Sequence, residues 1–322
     1  MFVLLTLGTI NDRIMRKILM MLFVSAVSLL ANGQVVKSIN DGNMKIPRNP
    51  VKPTLKAKPV ATPKEDVEID TNTVYFRMID SAQVCVKNNQ LDRAEQFLLN
   101  AIKQEPQNTS NSLVLSNLAT LQREQGKLLS AEKNYTMALA LTPNAVTLLM
   151  NRAALYTEMD SLNLAIADYK RVLAIDETDI PSRFSLGLIA LGMKDYKQAE
   201  EYFNEMLRYS PNSGLAREGQ GLLYKATGKY SQAAKSFTEV IKAKPTVDLL
   251  ANRADCYLMT NQLSEASVDI SDAIKLEPDN GRLYILKAKL DKMRFDFDQE
   301  KKDIDLAVKH GISRKVAEAL LK

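Results

Sequence analysis

The residue types that most often carry catalysis or bind metals are scarce in this chain. It contains one histidine, His310, and two cysteines, Cys85 and Cys256. A metal site of clustered His and Cys ligands cannot be built from that inventory, and a Cys–His nucleophile pair would need distant residues to meet in the fold. Glycine-rich phosphate loops and the nucleophile-elbow motif are absent from the sequence. We therefore expect no catalytic residue, no bound metal and no cofactor.

Side-chain amides offer a different chemistry, which is the recognition of a peptide. Asn117, Asn151 and Asn252 occupy equivalent places in an internal repeat of about 34 residues. An amide side chain donates and accepts hydrogen bonds at once, so it can hold a peptide backbone. The alternative is that these asparagines only bond neighbouring helices, and the sequence does not separate the two.

The repeat is carried by two sets of small residues. Members of the first set are separated by 37, 34, 34, 34, 33 and 34 residues: Ala82, Ala119, Ala153, Gly187, Gly221, Ala254 and Ala288. The second set follows twelve residues later in six of the units: Ala94, Ala131, Ala165, Ala199, Ala233 and Ala266. Two helices joined by a tight turn need a small residue on each where their backbones cross, so each unit is predicted to be a helical hairpin.

The other repeated residues fit the same hairpin. Turn residues that tolerate left-handed geometry fall between the two small residues: Asn89, Gly126, Asp160, Gly228 and Asn261. A bulky residue four positions after the second alanine is predicted to fill the gap between hairpins: Leu98, Tyr135, Tyr169, Phe203, Phe237 and Ile270. A proline that cannot continue a helix closes five units, at Pro106, Pro143, Pro211, Pro245 and Pro278, whereas Glu177 stands there in the third unit.

This order of small, small, bulky and proline residues resembles the tetratricopeptide repeat family, whose period is also 34. The segments 151–156 and 252–257 are compact examples. The resemblance implies an all-α fold, a right-handed α-α superhelix over residues 71–322. It implies six repeats, a degenerate seventh and a C-terminal cap, at about 75–108, 112–145, 146–179, 180–213, 214–246, 247–280, 281–312 and 313–322.

Three features depart from the family pattern. The family's early tryptophan is never present, and Arg183 and Arg217 stand there in the fourth and fifth units. The 37-residue step inserts three residues near 107–112, so the first hairpin is expected to be tilted from the stack. Glu300 replaces the second alanine of the seventh unit, which is expected to close the array with the cap, because an open solenoid end exposes apolar surface.

The resemblance also implies where a partner binds, because first helices line a concave face that takes extended peptides or partner helices. The positions expected on that face are Asn117, Arg123, Asn151, Phe184, Leu188, Lys225, Asn252 and Asp255. Phe184 and Leu188 would offer an apolar patch to a partner's anchor, with core packing as the alternative. The Lys and Asn set with which some family members clamp a terminal carboxylate is not found in the first three units, which disfavours chaperone-tail recognition of that kind.

The same layout decides the expected roles of the cysteines and the histidine. Cys85 and Cys256 fall five hairpins apart, too far for a disulfide, so both are predicted to be buried free thiols. His310 precedes Gly311 at a predicted helix end, where a capping or surface role is expected rather than catalysis.

Residues 1–33 are predicted to be an export signal. A basic pair at 16–17 precedes an apolar run of about 14 residues at 18–31, and small residues stand at 31 and 33. The run is shorter than the roughly 20 residues that a membrane-spanning helix needs. We expect Met15 to be the true start and the mature chain to be periplasmic or secreted without a membrane span. An uncleaved N-terminal anchor is the alternative.

Residues 34–70 are predicted to be a disordered linker rich in proline and lysine. Proline removes backbone donors and blocks helix formation, and five prolines interrupt this stretch: Pro47, Pro50, Pro53, Pro59 and Pro63. Lysine and arginine residues lie between them over 37–64. One interpretation is a solvated spacer, and the other is a basic strap that makes weak contact with anionic lipid or an envelope polymer.

Composition and charge limit the classes of function that the chain can have. The net charge is +5 and falls to about +3 without the export signal, which is too little to predict nucleic-acid binding. The leading prediction is a non-enzymatic protein–protein interaction scaffold in the bacterial cell envelope that binds a peptide or partner protein on its concave face. The alternatives are an adaptor to an envelope polymer or membrane surface through the basic linker, an enzyme of unrecognised type, and an RNA-binding helical solenoid.

Overall fold

The computed structural model describes residues 73–321, which form fifteen α-helices and no strand. The export signal and the linker predicted at 1–33 and 34–70 lie outside these residues. In chain order the helices are α1 (Val74–Lys87), α2 (Leu91–Gln104), α3 (Asn111–Glu124), α4 (Leu128–Leu141), α5 (Val146–Glu158), α6 (Leu162–Ile175), α7 (Ile180–Gly192), α8 (Tyr196–Tyr209), α9 (Gly214–Ala226), α10 (Tyr230–Ala243), α11 (Val247–Met259), α12 (Leu263–Leu276), α13 (Gly281–Met293), α14 (Phe297–Lys309) and α15 (Arg314–Leu320). The predicted all-α helical repeat fold is confirmed.

The chain divides into two compact units, the first ending at Ser182 and the second spanning Arg183–Lys322. The first unit contains the hairpins α1–α2, α3–α4 and α5–α6. The second unit begins within α7 and contains the hairpins α9–α10, α11–α12 and α13–α14 and the short α15. In both units the predicted small residues and bulky gap-filling residues are buried, so the repeated positions form the core.

Phe203 shows why small residues are required where helices cross. Its ring lies against Gly187 on α7 and Gly219 on α9, and a Cβ atom on either glycine would overlap the ring. Phe237 shows the same arrangement one repeat later, since a Cβ on Gly221 would lie 2.7 Å from its Cε1. Close packing of an aromatic ring against bare backbone therefore joins α7, α8 and α9.

The hairpin turns use the left-handed backbone region. All five predicted turn residues have φ between 55° and 76°. The fourth and seventh turns adopt the same geometry with Lys194 at φ 61° and Phe295 at φ 62°. These two positions were missed because neither residue type favours that region. The hairpin geometry imposes the turn on them.

In the third repeat, which lacks the closing proline, the second helix ends at a side-chain turn instead. Helix α6 stops at Ile175, and Asp176 follows as its C-terminal cap with φ −135°. The Asp176 carboxylate accepts hydrogen bonds from the backbone N–H and the hydroxyl of Thr178, at 2.9 and 2.7 Å. A side-chain turn of this kind ends the helix in place of proline.

The three inserted residues between α2 and α3 are organised by Asn111. Its buried side chain accepts a hydrogen bond from the Tyr75 hydroxyl at 3.1 Å. Its amide group donates to the carbonyl oxygens of Glu105 and Pro106, at 2.8 and 3.0 Å. One asparagine thus satisfies two carbonyl groups of the longer connection, which no repeat pattern predicted.

The seventh repeat is a complete hairpin. Helices α13 and α14 have 13 residues each, and Ala288 and Ala307 are fully buried between them. Glu300, at the place of the missing alanine, is half-buried. Helix α15 closes this end by packing Ala317 and Leu321 on the same cluster. Among residues 73–321, no helix combines the length and the apolar character needed to cross a membrane.

Candidate partner-binding site

Three consecutive first helices of the second unit are joined by a polar network. Lys225 on α9 donates to Asn252 Oδ1 on α11 at 2.9 Å, and its Nζ lies 2.9 Å from Asp255 Oδ2. Asp255 Oδ1 accepts a second bond from Lys289 Nζ on α13 at 3.1 Å. We call these four residues the first-helix network. Three of them were predicted site residues, and Lys289 was missed although it follows Asp255 by one repeat of 34 residues.

The network is partly exposed and carries net positive charge. The side chains of Lys225, Asp255 and Lys289 are 22–33% exposed. Burial acts to raise the pKa of Asp255, but Lys225 and Lys289 outweigh it and lower that pKa. Asp255 is therefore ionised at neutral pH and holds both ammonium groups in place. Asn252 accepts through its oxygen, so its amide NH₂ is the donor end that a peptide carbonyl could use.

Two carboxyl groups lie further toward the start of the same helices. Burial, and then the charge of Asp248, raise the pKa of Glu218 on α9 to about 7. Asp248 on α11 also has a raised pKa, caused by burial and by Glu277 and opposed by Arg282. At neutral pH Glu218 is thus close to half-protonated, and the face combines acceptors, donors and both signs of charge.

In the first unit the predicted site residues serve packing between helices. Arg123 on α3 donates twice to Glu158 on α5, at 2.8 and 2.5 Å, and its side chain is only 9% exposed. Burial acts to lower the pKa of Arg123, but the hydrogen bond and charge of Glu158 raise it. Asn151 is buried, and Asn117 is half-buried and already engaged. Of these residues, Arg123 bonds the neighbouring helix through Glu158, and the side chain of Asn151 is withdrawn from the surface.

The expected apolar patch is part of the core. Phe184 and Leu188 on α7 are buried, and the Phe184 ring lies 6.1 Å from the ring of Phe203. Neither side chain offers surface to a partner in this conformation, because each packs inside the second unit. This corrects the expectation that they form a pocket, and the core-packing alternative describes them.

Buried ion pairs within hairpins were missed by the sequence reasoning. Arg152 donates to both carboxylate oxygens of Asp168, at 2.7 and 2.8 Å, and Arg253 does so to Asp269 at 2.7 Å each. Both aspartates are buried. The available signal was an aspartate 16 residues after the arginine that follows Asn151 and Asn252. These pairs hold the two helices of a hairpin together and are not accessible for binding.

Cysteine and histidine occupy the expected structural places. Cys85 and Cys256 are free and buried, and burial raises the pKa of Cys256 to about 11, so it is a thiol at neutral pH. His310 caps α14 and stacks on the ring of Tyr284 at 5.2 Å. Within residues 73–321, no group of three or more His, Cys, Asp or Glu side chains could hold a metal ion.

A solved tetratricopeptide repeat protein from Parabacteroides merdae is 31% identical to this chain. The match covers 97% of that protein and 77% of this one, with a TM-score of 0.67. The chain belongs to the tetratricopeptide repeat family. Models described as tetratricopeptide repeat also match residues 146–179, 180–213 and 219–281, which lie within the repeats.

Other proteins match this chain over shorter stretches or at lower identity. Hsp70-Hsp90 organizing protein 1 of Glycine max is 30% identical over 90 residues, which is 28% of this chain and 16% of that protein. This chain therefore spans less than a fifth of the length of that relative. The structure of the APC/C hetero-tetramer Cut9-Hcn1 matches at 12% identity and a TM-score of 0.62, covering 79% of this chain and 49% of that one, and shows likeness of fold alone.

Proposed function

We propose that this tetratricopeptide repeat protein is a scaffold that binds a peptide or partner protein on the first-helix network of its second unit. Tetratricopeptide repeats imply protein–protein interaction, and the family is generally non-enzymatic. The observation that carries the proposal is the partly exposed set Lys225, Asn252, Asp255 and Lys289, which spans three consecutive first helices.

The geometry suits recognition of a polar backbone. Asp255 holds Lys225 and Lys289 on either side, so the charged groups are positioned before a partner arrives and little side-chain entropy remains to be lost on binding. An extended peptide offers carbonyl oxygens to the ammonium groups and to the Asn252 amide. Leu222, one turn before Lys225 on α9, is half-buried and offers apolar surface on the same helix.

We also propose that the protein works outside the cytoplasm, in the bacterial cell envelope. The support is the basic pair at 16–17 followed by the apolar run at 18–31 and small residues at 31 and 33. Cell fractionation with N-terminal sequencing of the mature chain tests this. A mature chain that begins near residue 34 is expected, and a chain that retains residues 18–31 in the soluble cytoplasmic fraction would overturn the proposal.

Site-specific photo-crosslinking tests the binding face. A photoreactive amino acid at Asn252 is expected to capture a defined partner in the native cells, whereas the same amino acid at Glu239 on α10 is not. With the probe at Leu222, the double substitution Lys225→Gln with Asp255→Asn is expected to reduce capture at least about ten-fold relative to the same probe in the wild type, because it removes two charged groups of the network.

The matched control is the exposed pair Lys242 and Glu239 on α10, joined at 2.8 Å within the same unit. Lys242→Gln with Glu239→Gln removes the same charges from the second-helix surface and is expected to leave capture unchanged. Equal capture from both faces, or equal loss in both double variants, would contradict binding at the first-helix network.

A further inference from the structure

The third and sixth repeats share one arrangement of three side chains. An arginine donates to a buried aspartate of the second helix and lies over the ring of a tyrosine one turn further along its own helix: Arg152, Asp168 and Tyr156, and Arg253, Asp269 and Tyr257. In each set the arginine balances the charge of the aspartate, and Arg171 also lies 3.8 Å from Asp168. These sets are therefore electrically balanced without any bound proton.

The seventh repeat replaces two members of that set. Lys287 stands in the place of the arginine and Asp291 in the place of the tyrosine, while Asp303 keeps the place of the aspartate. Lys287 Nζ bonds both oxygens of Asp303, at 2.9 and 2.8 Å. Asp303 is 0% exposed and Asp291 is 6% exposed. Two buried carboxyl groups thus share a single ammonium group.

The second carboxyl group is poorly satisfied when it is ionised. Asp291 Oδ2 is buried without a hydrogen-bond partner among the described residues, and it lies 4.0 Å from Lys287 Nζ. A proton on Asp291 can be donated to Asp303, which removes both the unpaired charge and the repulsion. Burial first, and then the hydrogen bond and charge of Asp303, raise the pKa of Asp291 to about 6.

The surrounding charges do not offset this arrangement. Asp296, at the start of α14, adds a further negative charge toward Asp291. Of the other lysines on α13, Lys289 bonds Asp255 at 3.1 Å and Lys292 donates to the carbonyl oxygen of Leu321 at 2.7 Å. On α12, which packs on the other side of α13, Lys275 pairs with Asp272, and Asp269 is held by Arg253.

We propose that the seventh hairpin is a pH-responsive element, held by a proton that Asp291 and Asp303 share and loosened when that proton leaves. Above the transition an additional buried negative charge lies at the contact of α13 and α14, so this end of the chain opens more often. The sixth hairpin, with its balanced Arg253–Asp269 pair, does not respond. This inference is independent of which partner the first-helix network binds.

Hydrogen exchange of the full-length protein, followed by mass spectrometry, tests the proposal. Exchange at pH 5.0 and pH 7.5 is corrected for the intrinsic rate, and peptides from α13–α14 are compared with those from α11–α12 in the same sample. Protection of α13–α14 is expected to fall about ten-fold at the higher pH relative to α11–α12. An equal change in both hairpins would overturn the proposal.

Two variants distinguish loss of the shared proton from a general instability of the seventh hairpin. Asp291→Asn carries a permanent donor to Asp303 and is expected to keep high protection at both pH values. Lys287→Arg with Asp291→Tyr installs the set of the sixth repeat and is expected to abolish the pH response. Should either variant fail to fold, a carbon-13 titration of the Asp291 carboxyl in the wild-type protein decides, and a midpoint below about 4.5 would refute the proposal.

Discussion

Arg253 and Asp269 lie sixteen residues apart in the sequence and face each other across the α11–α12 hairpin. The guanidinium group donates to both carboxylate oxygens at 2.7 Å and to the Thr238 hydroxyl of the preceding repeat at 3.0 Å. Asp269 is buried, and this arginine is its ion-pair partner. The residue thus joins two helices of one hairpin and ties that hairpin to the one before it.

Removing the arginine alone should be strongly destabilising. Arg253→Met leaves an ionised carboxylate buried without a partner, which is expected to lower the free energy of unfolding by about 3–5 kcal/mol. Urea unfolding followed by circular dichroism measures this. The double variant with Asp269→Leu is expected to recover most of the loss, and a single-variant cost below about 1 kcal/mol would contradict the role assigned to the pair.

The glycines beside Phe203 should resist even the smallest side chain. Gly219→Ala places a Cβ within the ring of Phe203 and is expected to cost about 1–3 kcal/mol of stability, because the core must shift to admit it. The matched control is Gly214→Ala on the same helix, where the nearest atom, Val240 Cγ1, is 3.8 Å away. That change is expected to be neutral or slightly stabilising. Equal thermal shifts for the two variants would contradict the packing argument.

The seventh turn carries strain that can be relieved. Phe295 has φ 62° and is 80% exposed, so a bulky side chain holds a left-handed backbone without burying its ring. Phe295→Asn is expected to raise stability by about 0.5–1 kcal/mol, since asparagine tolerates this region better. Phe297→Asn removes the neighbouring exposed ring at a helical position and should give no such gain. A thermal unfolding series compares the two, and a loss of stability in Phe295→Asn would point to a needed contact of the ring.

Glu218 should make stability depend on pH near neutrality. Its pKa is about 7 in the folded chain against an ordinary 4.5, so the folded state binds the proton more tightly. The stability that this proton contributes is complete below about pH 4.5 and is lost as pH rises through about 7. Glu218→Gln is therefore expected to match the wild type near pH 4.5 and to exceed it by about 1–2 kcal/mol at pH 8.

Chemical denaturation at several pH values tests the Glu218 prediction. Glu239→Gln serves as the control, because Lys242 lowers the pKa of that exposed carboxylate, so its contribution to stability changes only below the pH range of this test. A constant difference between the wild type and Glu218→Gln from pH 4.5 to pH 8 would show that Glu218 does not titrate in this range.

Much of the hairpin architecture could be predicted because each repeated position requires one local property, either a residue size or a backbone conformation. The alanine and glycine sets mark helix crossings, the bulky set fills gaps, and Asn89, Gly126 and Asp160 supply left-handed turns. These demands depend on residue size and backbone freedom, which are properties of single residues at a fixed spacing. The family and the all-α fold therefore followed from the sequence.

Which polar residues pair with one another was decided by the tertiary structure. Phe184 on α7 packs against Phe203 and therefore lies in the core. Lys225 and Asp255 lie on neighbouring first helices and remain partly exposed. Asp291 differs from a solvated aspartate only through the burial and the neighbours that packing gives it. The sequence by itself determined the repeat and its register, since these are local. The burial, partners and protonation of the charged residues depend on distances between helices, and only the folded chain sets those.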